Sequence, residues 1–188
     1  MKRLLAFLFA FVFSALACAQ SLTTAQLTTV RTFACADTGT ARPMVLAGDT
    51  ASLRAWLNAT GTFVVWRKAV PTPSIGPVLN YVAVSNLTTA NRDRATTFVI
   101  LNPATFDASQ DIADYWDTTF GGTLGGQGAT VRAALQAHWR RNALRVEQAL
   151  SSGSGTTGSP GVMTFEGAIS EPDTTRLVFT DSGVLIGC

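Results

Sequence analysis

The chain has 188 residues, 47% of them apolar and only 14% charged, and its 14 Lys and Arg against 12 Asp and Glu give a formal net charge of +2. That length suits one domain with a sizeable core, and the apolar content excludes a chain disordered throughout. The weak charge excludes a basic nucleic-acid surface: Lys2 and Arg3 sit in a segment expected to be removed, which leaves twelve basic side chains against twelve acidic ones.

Residues 1–19, MKRLLAFLFAFVFSALACA, read as a signal peptide. Lys2 and Arg3 form the positive start, Leu4 to Leu16 is apolar apart from Ser14, and Ala17 and Ala19 satisfy the small-x-small rule, leaving Gln20 as the new N-terminus. The apolar run of about thirteen residues is short of the roughly 20 that a membrane-spanning helix needs. Cleavage after Ala17 would instead expose Cys18, a candidate lipidation site, although Ala15 stands where bacterial lipoproteins carry a leucine. Residues 20–188 are expected to form a single mainly α domain of about five helices with a short C-terminal β element. No later segment is apolar enough to span a membrane.

Thr23 and Gln26 make a capping box, and Leu22 with Leu27 a hydrophobic staple, so a helix is expected over about 24–36, ending near Gly39. Asp49 caps a short second helix carrying Leu53, Trp56 and Leu57 at helical spacing, with Asn58 to Gly61 as its stop. Phe63 to Trp66 reads as a short strand or the start of a turn. VPTPSIGP, residues 70–77, has three prolines and a glycine and reads as a surface loop.

Thr88 or Thr89 caps a third helix through NRDRATTFVIL, stopped before Asn102 and Pro103, its end from Phe98 to Leu101 expected in the core. Asp107 or Ser109 starts a fourth, with Ile112, Tyr115, Trp116 and Phe120 on one face, broken by the glycines of 120–128. The fifth and strongest is expected from Ala129 to about Leu150, on the stripe Val131, Leu135, Trp139, Val146 and Leu150. SSGSGTTGSPG, residues 151–161, reads as a flexible Gly/Ser/Thr linker. VMTFEGAI, LVFT and VLI are then short β runs, the last two joined by a hairpin turn at Asp181, Ser182 and Gly183.

Once Cys18 is cleaved off or lipidated, Cys35 and Cys188 remain. They are the candidate disulfide, which would close nearly the whole domain in an oxidising compartment; the alternative is two unrelated cysteines, one a small buried apolar residue. Without a CxxC pair or another cysteine pair at ligand spacing, no structural zinc site is expected.

His138, the only histidine, has its nearest acid in sequence at Glu147, more than two helical turns on, and reads as a helix-surface residue rather than a general base. Asp107, Asp111, Asp114 and Asp117 fall along one helical stripe and read as a solvated face, with Arg140, Arg141 and Arg145 of the next helix as their alternative partners. GGTLGGQGAT, residues 121–130, lacks the lysine of a phosphate-binding loop and reads as a reversal between two helices. Trp56, Trp66, Trp116 and Trp139 read as core residues in preference to a sugar-binding groove. Asn58-Ala59-Thr60 and Asn86-Leu87-Thr88 match the glycosylation sequon, which carries little weight behind a bacterial-type leader.

Five stretches in order resemble small uncharacterised proteins of tailed bacteriophages and prophages: FACADTGTARPMVLAGDTASLRAWLN, FVVWRKAVP, NYVAVSNLTTANRDR with LNP after it, FGGTLGGQGATVRAALQAHWRRNALRVEQAL, and SGSGTTGSPGVMTFEGAIS. The resemblance covers about residues 22–170. It implies a phage-derived, non-enzymatic protein of the structural or tail gene region, working through contacts with itself or with other phage structural proteins. It carries over no catalytic residue, no metal and no cofactor. The leader and the ending LVFTDSGVLIGC depart from that pattern and set a role in virion assembly against the alternative of an exported periplasmic binding protein or lipoprotein of bacterial origin.

Overall fold

The computed structural model describes residues 21–79, 84–120 and 125–188, with 125–129 described in backbone only. The first helix, α1 (Thr24–Ala36), starts at the Thr23/Gln26 capping box, and buries Leu27, Val30 and Ala34. Next comes a helix that the sequence reading lacks, α2 (Ala41–Ala47), which ends on Gly48 in the left-handed conformation at φ 71°. Helix α3 (Thr50–Leu57) follows, its cap Asp49 accepting from the Ser52 amide. Leu53 and Leu57 of α3 join Val30 and Val45 in one core.

Strand β1 (Thr60–Trp66) leads out of this group, and β2 (Val70–Pro71) runs into a 3-10 turn over Thr72–Val78, the helical form that proline-rich 70–77 tolerates. Helix α4 (Thr89–Leu101), capped by Thr88, sends Phe98 into a second core. Strand β3 (Thr105–Phe106) pairs with β2. Helix α5 (Gln110–Phe120) adds Ala113, Trp116 and Phe120, and α6 (Gly125–His138) adds Val131 and Leu135. Strand β4 (Arg140–Leu144) pairs antiparallel with β1 and leads back to α7 (Arg145–Ala149) in the first core. Short β5 (Ser151–Ser152) and β6 (Val162–Met163) pair, and α8 (Glu171–Val178) closes the first core with Leu177 and Val178. The β1–β4 ribbon thus links two helical cores, with Val65, Ala143 and Met163 forming a small cluster on it.

This overturns the expected mainly α domain of about five helices. Helix takes 54% and strand 15%, the strands lying in small antiparallel sheets, and the described residues hold eight α-helices and a 3-10 turn. The expected helix over 129–150 is α6, β4 and α7. Trp139 belongs to the second core and Val146 to the first, and an extended segment covers roughly twice the distance per residue of a helix, which lets the chain pass between them. The ribbon also gives β1 a partner for its backbone.

The C-terminal β runs are mostly not strands. Leu177 and Val178 end α8, whose cap Ser170 accepts from the Asp173 amide. The turn at 181–183 is present, closed by Phe179 bridging Leu185. The segment 151–161 is tied to β1 rather than running free: the Val64 amide donates to Gly155 O at 2.7 Å and the Gly161 amide to Val64 O at 2.8 Å. Its glycines let Phe63 lie against the backbone, since a Cβ at Gly155 or Gly161 would sit 2.1 or 2.4 Å from the ring. At the end of α4, Val99, Ile100 and Leu101 are 47%, 68% and 74% exposed, against the expectation of a core end; successive helical residues turn by about 100°, and Phe98 alone faces inward.

Candidate functional site

Where β1 leaves the ribbon, a cleft of about 470 Å³ opens between Trp66 and Lys68, the turn Asp107–Gln110 and the segment Ser159–Met163. Its geometry is set by the backbone. Arg67 N donates to Trp139 O at 2.8 Å and Arg67 O accepts from Ala108 N at 2.9 Å, so the chain beside the cleft is pinned on both sides. Between them Ala69 is held at φ 48°, the one non-glycine residue with positive φ among the described residues, by its amide donating to Asp107 Oδ1 at 2.8 Å. A left-handed alanine costs about 1–2 kcal/mol, a strain kept only where the surroundings enforce it. Ser109 caps α5 by accepting from the Ile112 amide at 3.3 Å. Lys68 lies exposed on the rim and enters no ion pair among the described residues, while Pro160, Val162 and Met163 give the cleft an apolar wall. Such a lining suits a ligand or side chain with an apolar body and a polar edge.

His138 does meet a hydroxyl: its Nε2 lies 2.7 Å from Ser74 Oγ. Ser74 also donates to the carbonyl of Pro71, which uses its single proton, so the imidazole nitrogen is the donor to Ser74. Burial, followed by the charge of Arg67, lowers the His138 pKa below its ordinary value and keeps the ring neutral at pH 7. Among the described residues no carboxylate hydrogen-bonds this imidazole, so the pair lacks the orienting acid of a triad. It ties the 3-10 turn to the end of α6.

Asp107, Asp111 and Asp114 are exposed, as a solvated face requires, although Asp107 lies ahead of the helix and three of the four hold partners of their own. Asp107 precedes α5 and bonds Ala69, Asp114 accepts from Gln110 at 2.7 Å, and Asp117 takes Arg132 at 3.4 Å and the Gln136 amide at 2.9 Å. Asp111 is exposed. Of the expected arginine partners, Arg140 feels the charge of Asp117, while the closest contacts of all three lie elsewhere. Arg140 stacks over Trp66 at 5.2 Å, Arg145 over Trp56 at 4.8 Å, and Arg141 binds Glu147.

That last pair is the strongest polar feature of the fold. The buried Glu147 carboxylate receives both Arg141 Nη atoms at 2.6 and 2.8 Å and the amides of Leu144 and Gly167, each at 2.8 Å. Arg141 reaches on to Glu166 at 3.0 Å. Burial pushes the Glu147 pKa up, but the Arg141 hydrogen bonds, the two amides and the charge of Arg141 outweigh it and hold the carboxyl below its usual range. Nearby, the Asn58 side chain donates to Ile169 O at 3.1 Å and accepts from its amide at 2.8 Å, which commits it to the fold rather than to a glycan. Asn86 is exposed.

Cys35 and Cys188 are joined by a disulfide with Cα atoms 5.6 Å apart, across a sequence separation of 153. Cys18 and the leader lie outside the described residues. So do residues 121–124 of the glycine-rich stretch, and from Gly125 onward the chain is already helical. Trp66, Trp116 and Trp139 are buried, and Trp56 packs at the edge of the first core. No group of three or more His, Cys, Asp or Glu among the described residues is placed to hold a metal ion, and no helix among them is long and apolar enough to cross a membrane.

Sequence reading missed the Ser74–His138 contact, the Glu147 cluster and the cleft, each of which joins residues far apart in the chain. The local part of the Glu147 cluster, the Leu144 amide donating to the carboxylate three residues on, has no polar cap residue to announce it in the sequence. The chain matches no protein-family model, no curated protein and no solved structure.

Proposed function

We propose that the chain is an exported, phage-derived accessory protein that acts by protein contact outside the cytoplasm and not by catalysis. The observation that carries this reading is the disulfide between Cys35 and Cys188, which joins the first helix to the last residue behind a signal-like N-terminus. Disulfides of this kind form and persist in oxidising compartments. The neutral charge of residues 20–188 favours shape and apolar contact over electrostatic capture.

The test is to express the chain in a bacterial host carrying the parent phage or prophage and to locate it in envelope, periplasm, purified particles and cytosol. Oxidised protein outside the cytosol, from a locus flanked by capsid, tail or lysis genes, supports the reading. Reduced, full-length protein in the cytosol refutes it.

The cleft favours one alternative, an exported binding protein or lipoprotein for a small ligand. The absence of phage genes around the locus, with saturable quenching of Trp66 fluorescence by a small organic solute, would favour that reading over the first.

A further inference from the structure

Of the two arginines of β4, one lacks an ion pair among the described residues. Arg141 is bound by Glu147 and Glu166, and Arg132 on α6 by Asp117. Arg140 is half-buried, and its Nε is covered by the protein yet has no hydrogen-bond partner. No hydrogen bond among the described residues takes its Nη groups either, and its close contact is the Trp66 ring at 5.2 Å. Burial pulls its pKa down and the charge of Asp117 pulls it back up. A guanidinium stays ionised at physiological pH, so the fold holds a partly desolvated positive charge on an indole face, an arrangement that is costly until an anion joins it.

Arg140 also lines a groove of about 380 Å³, with Ala133, Gln136 and Ala137 of α6, Val64 and Asn142 of the ribbon, and Thr157. Val64 pairs with Asn142 across the ribbon and Trp66 with Arg140, and alternate residues of a strand share a face, so these four stand on one side of it. Ala133 and Ala137 are exposed and small, which leaves room for a chain to approach. Asn142 and Thr157 are exposed as well, and neither side chain has a hydrogen bond among the described residues, whereas Gln136 donates to Asp117. The charge that the groove accepts is limited. Asp117 acts on Arg140 from nearby, and Arg141 with its two glutamates is one charge negative, so a doubly charged phosphate would find half its charge answered by Arg140 and the rest repelled. A carboxylate carries a single charge and spans the two Nη groups in the planar fork that a guanidinium favours.

We propose that this groove seats an aspartate or glutamate side chain of a partner protein, its carboxylate on the Nη fork of Arg140. The inference rests on the reading that the protein acts by protein contact, and it names the chemistry of that contact. The Asn142 amide and the Thr157 hydroxyl serve the partner's peptide groups, and the indole of Trp66 holds the guanidinium flat for the incoming carboxylate.

The test titrates the oxidised protein with the blocked peptide acetyl-Ala-Glu-Ala-amide and with its glutamine counterpart, following the guanidinium Nε–H resonance of Arg140 by NMR. The glutamate peptide should shift that resonance saturably, and the glutamine peptide should bind at least about tenfold more weakly. Arg140→Lys keeps the charge but loses the fork, and should weaken binding at least about fivefold as read from the Asn142 side-chain amide. Asn142→Asp sets a carboxylate beside the fork at an exposed position that leaves the fold intact, and should weaken it by a similar factor. Arg42→Ala, an equal loss of charge on an exposed part of α2, should bind like the parent. No saturable shift by about 50 mM peptide, equal binding of the two peptides, or parental binding by Arg140→Lys and Asn142→Asp overturns the proposal. So does inorganic phosphate or free succinate binding more tightly than the glutamate peptide, which would assign the groove to a small anion. An exported, oxidised protein whose Arg140 ignores the peptide defeats this proposal alone; a reduced, cytosolic one whose Arg140 takes it defeats the export reading alone.

Discussion

Removing the disulfide with Cys35→Ser/Cys188→Ser tests how far this fold relies on a covalent tie. The bond spans 153 residues of sequence, so it restrains almost the whole unfolded chain while sitting at the surface of the folded one. The chain-entropy relation for a loop of that length gives about 5 kcal/mol at 25 °C, at the upper end of what single disulfides contribute. In a domain of this size that is a drop of about 10–20 °C in the unfolding midpoint. Urea unfolding of oxidised protein and double serine variant, followed by tryptophan fluorescence, reads the difference directly. Reduction of the wild type by a dithiol should reproduce the variant. A loss below about 1 kcal/mol would refute the reasoning, because the loop closed by the bond would then contribute almost nothing.

Gly155→Ala should destabilise by about 2–4 kcal/mol, because its Cβ falls 2.1 Å from the Phe63 ring at a φ of 64°, and Phe63→Ala in the same chain should recover part of that loss in thermal unfolding. Glu147→Gln should cost about 3–5 kcal/mol through the broken buried pair with Arg141. The folded-state pKa of Glu147 is depressed, so its stabilisation is complete above the unfolded value near 4.5 and is lost as pH falls through the folded one; urea midpoints measured against pH should show that loss in the wild type and a flatter curve in the variant. Ala69→Gly should stabilise by about 1 kcal/mol or slightly less, since glycine accepts φ 48° without the steric penalty and adds some unfolded-state entropy; a loss of stability in chemical denaturation would contradict the strain assigned there.

Local signals in the sequence were reliable where one residue's side chain decides the outcome. Thr23 with Gln26, Asp49 and Thr88 each cap the helix their spacing announced, because a cap bonds an amide two or three residues away. The stripe Trp139, Val146 and Leu150 misled for the opposite reason. Its helical spacing is real, but Trp139 and Val146 serve different cores, and the choice between helix and strand was made by β1, some 75 residues earlier. Residues 151–161 have the composition of a linker, yet their glycines are what allow Phe63 to come close. Ser74 and His138 are 64 residues apart, and only the packing of the 3-10 turn on α6 brings them together. The cleft is likewise built by three segments whose proximity no local pattern encodes.

The claim that this is an exported, disulfide-closed protein is tested most directly by the intact mass of the chain recovered from its host by cell fraction. The account predicts envelope or periplasmic protein that begins at Gln20 or at an acylated Cys18 and lacks two hydrogens, as the Cys35–Cys188 bond requires. A cytosolic chain that retains Met1 and both free thiols would contradict it.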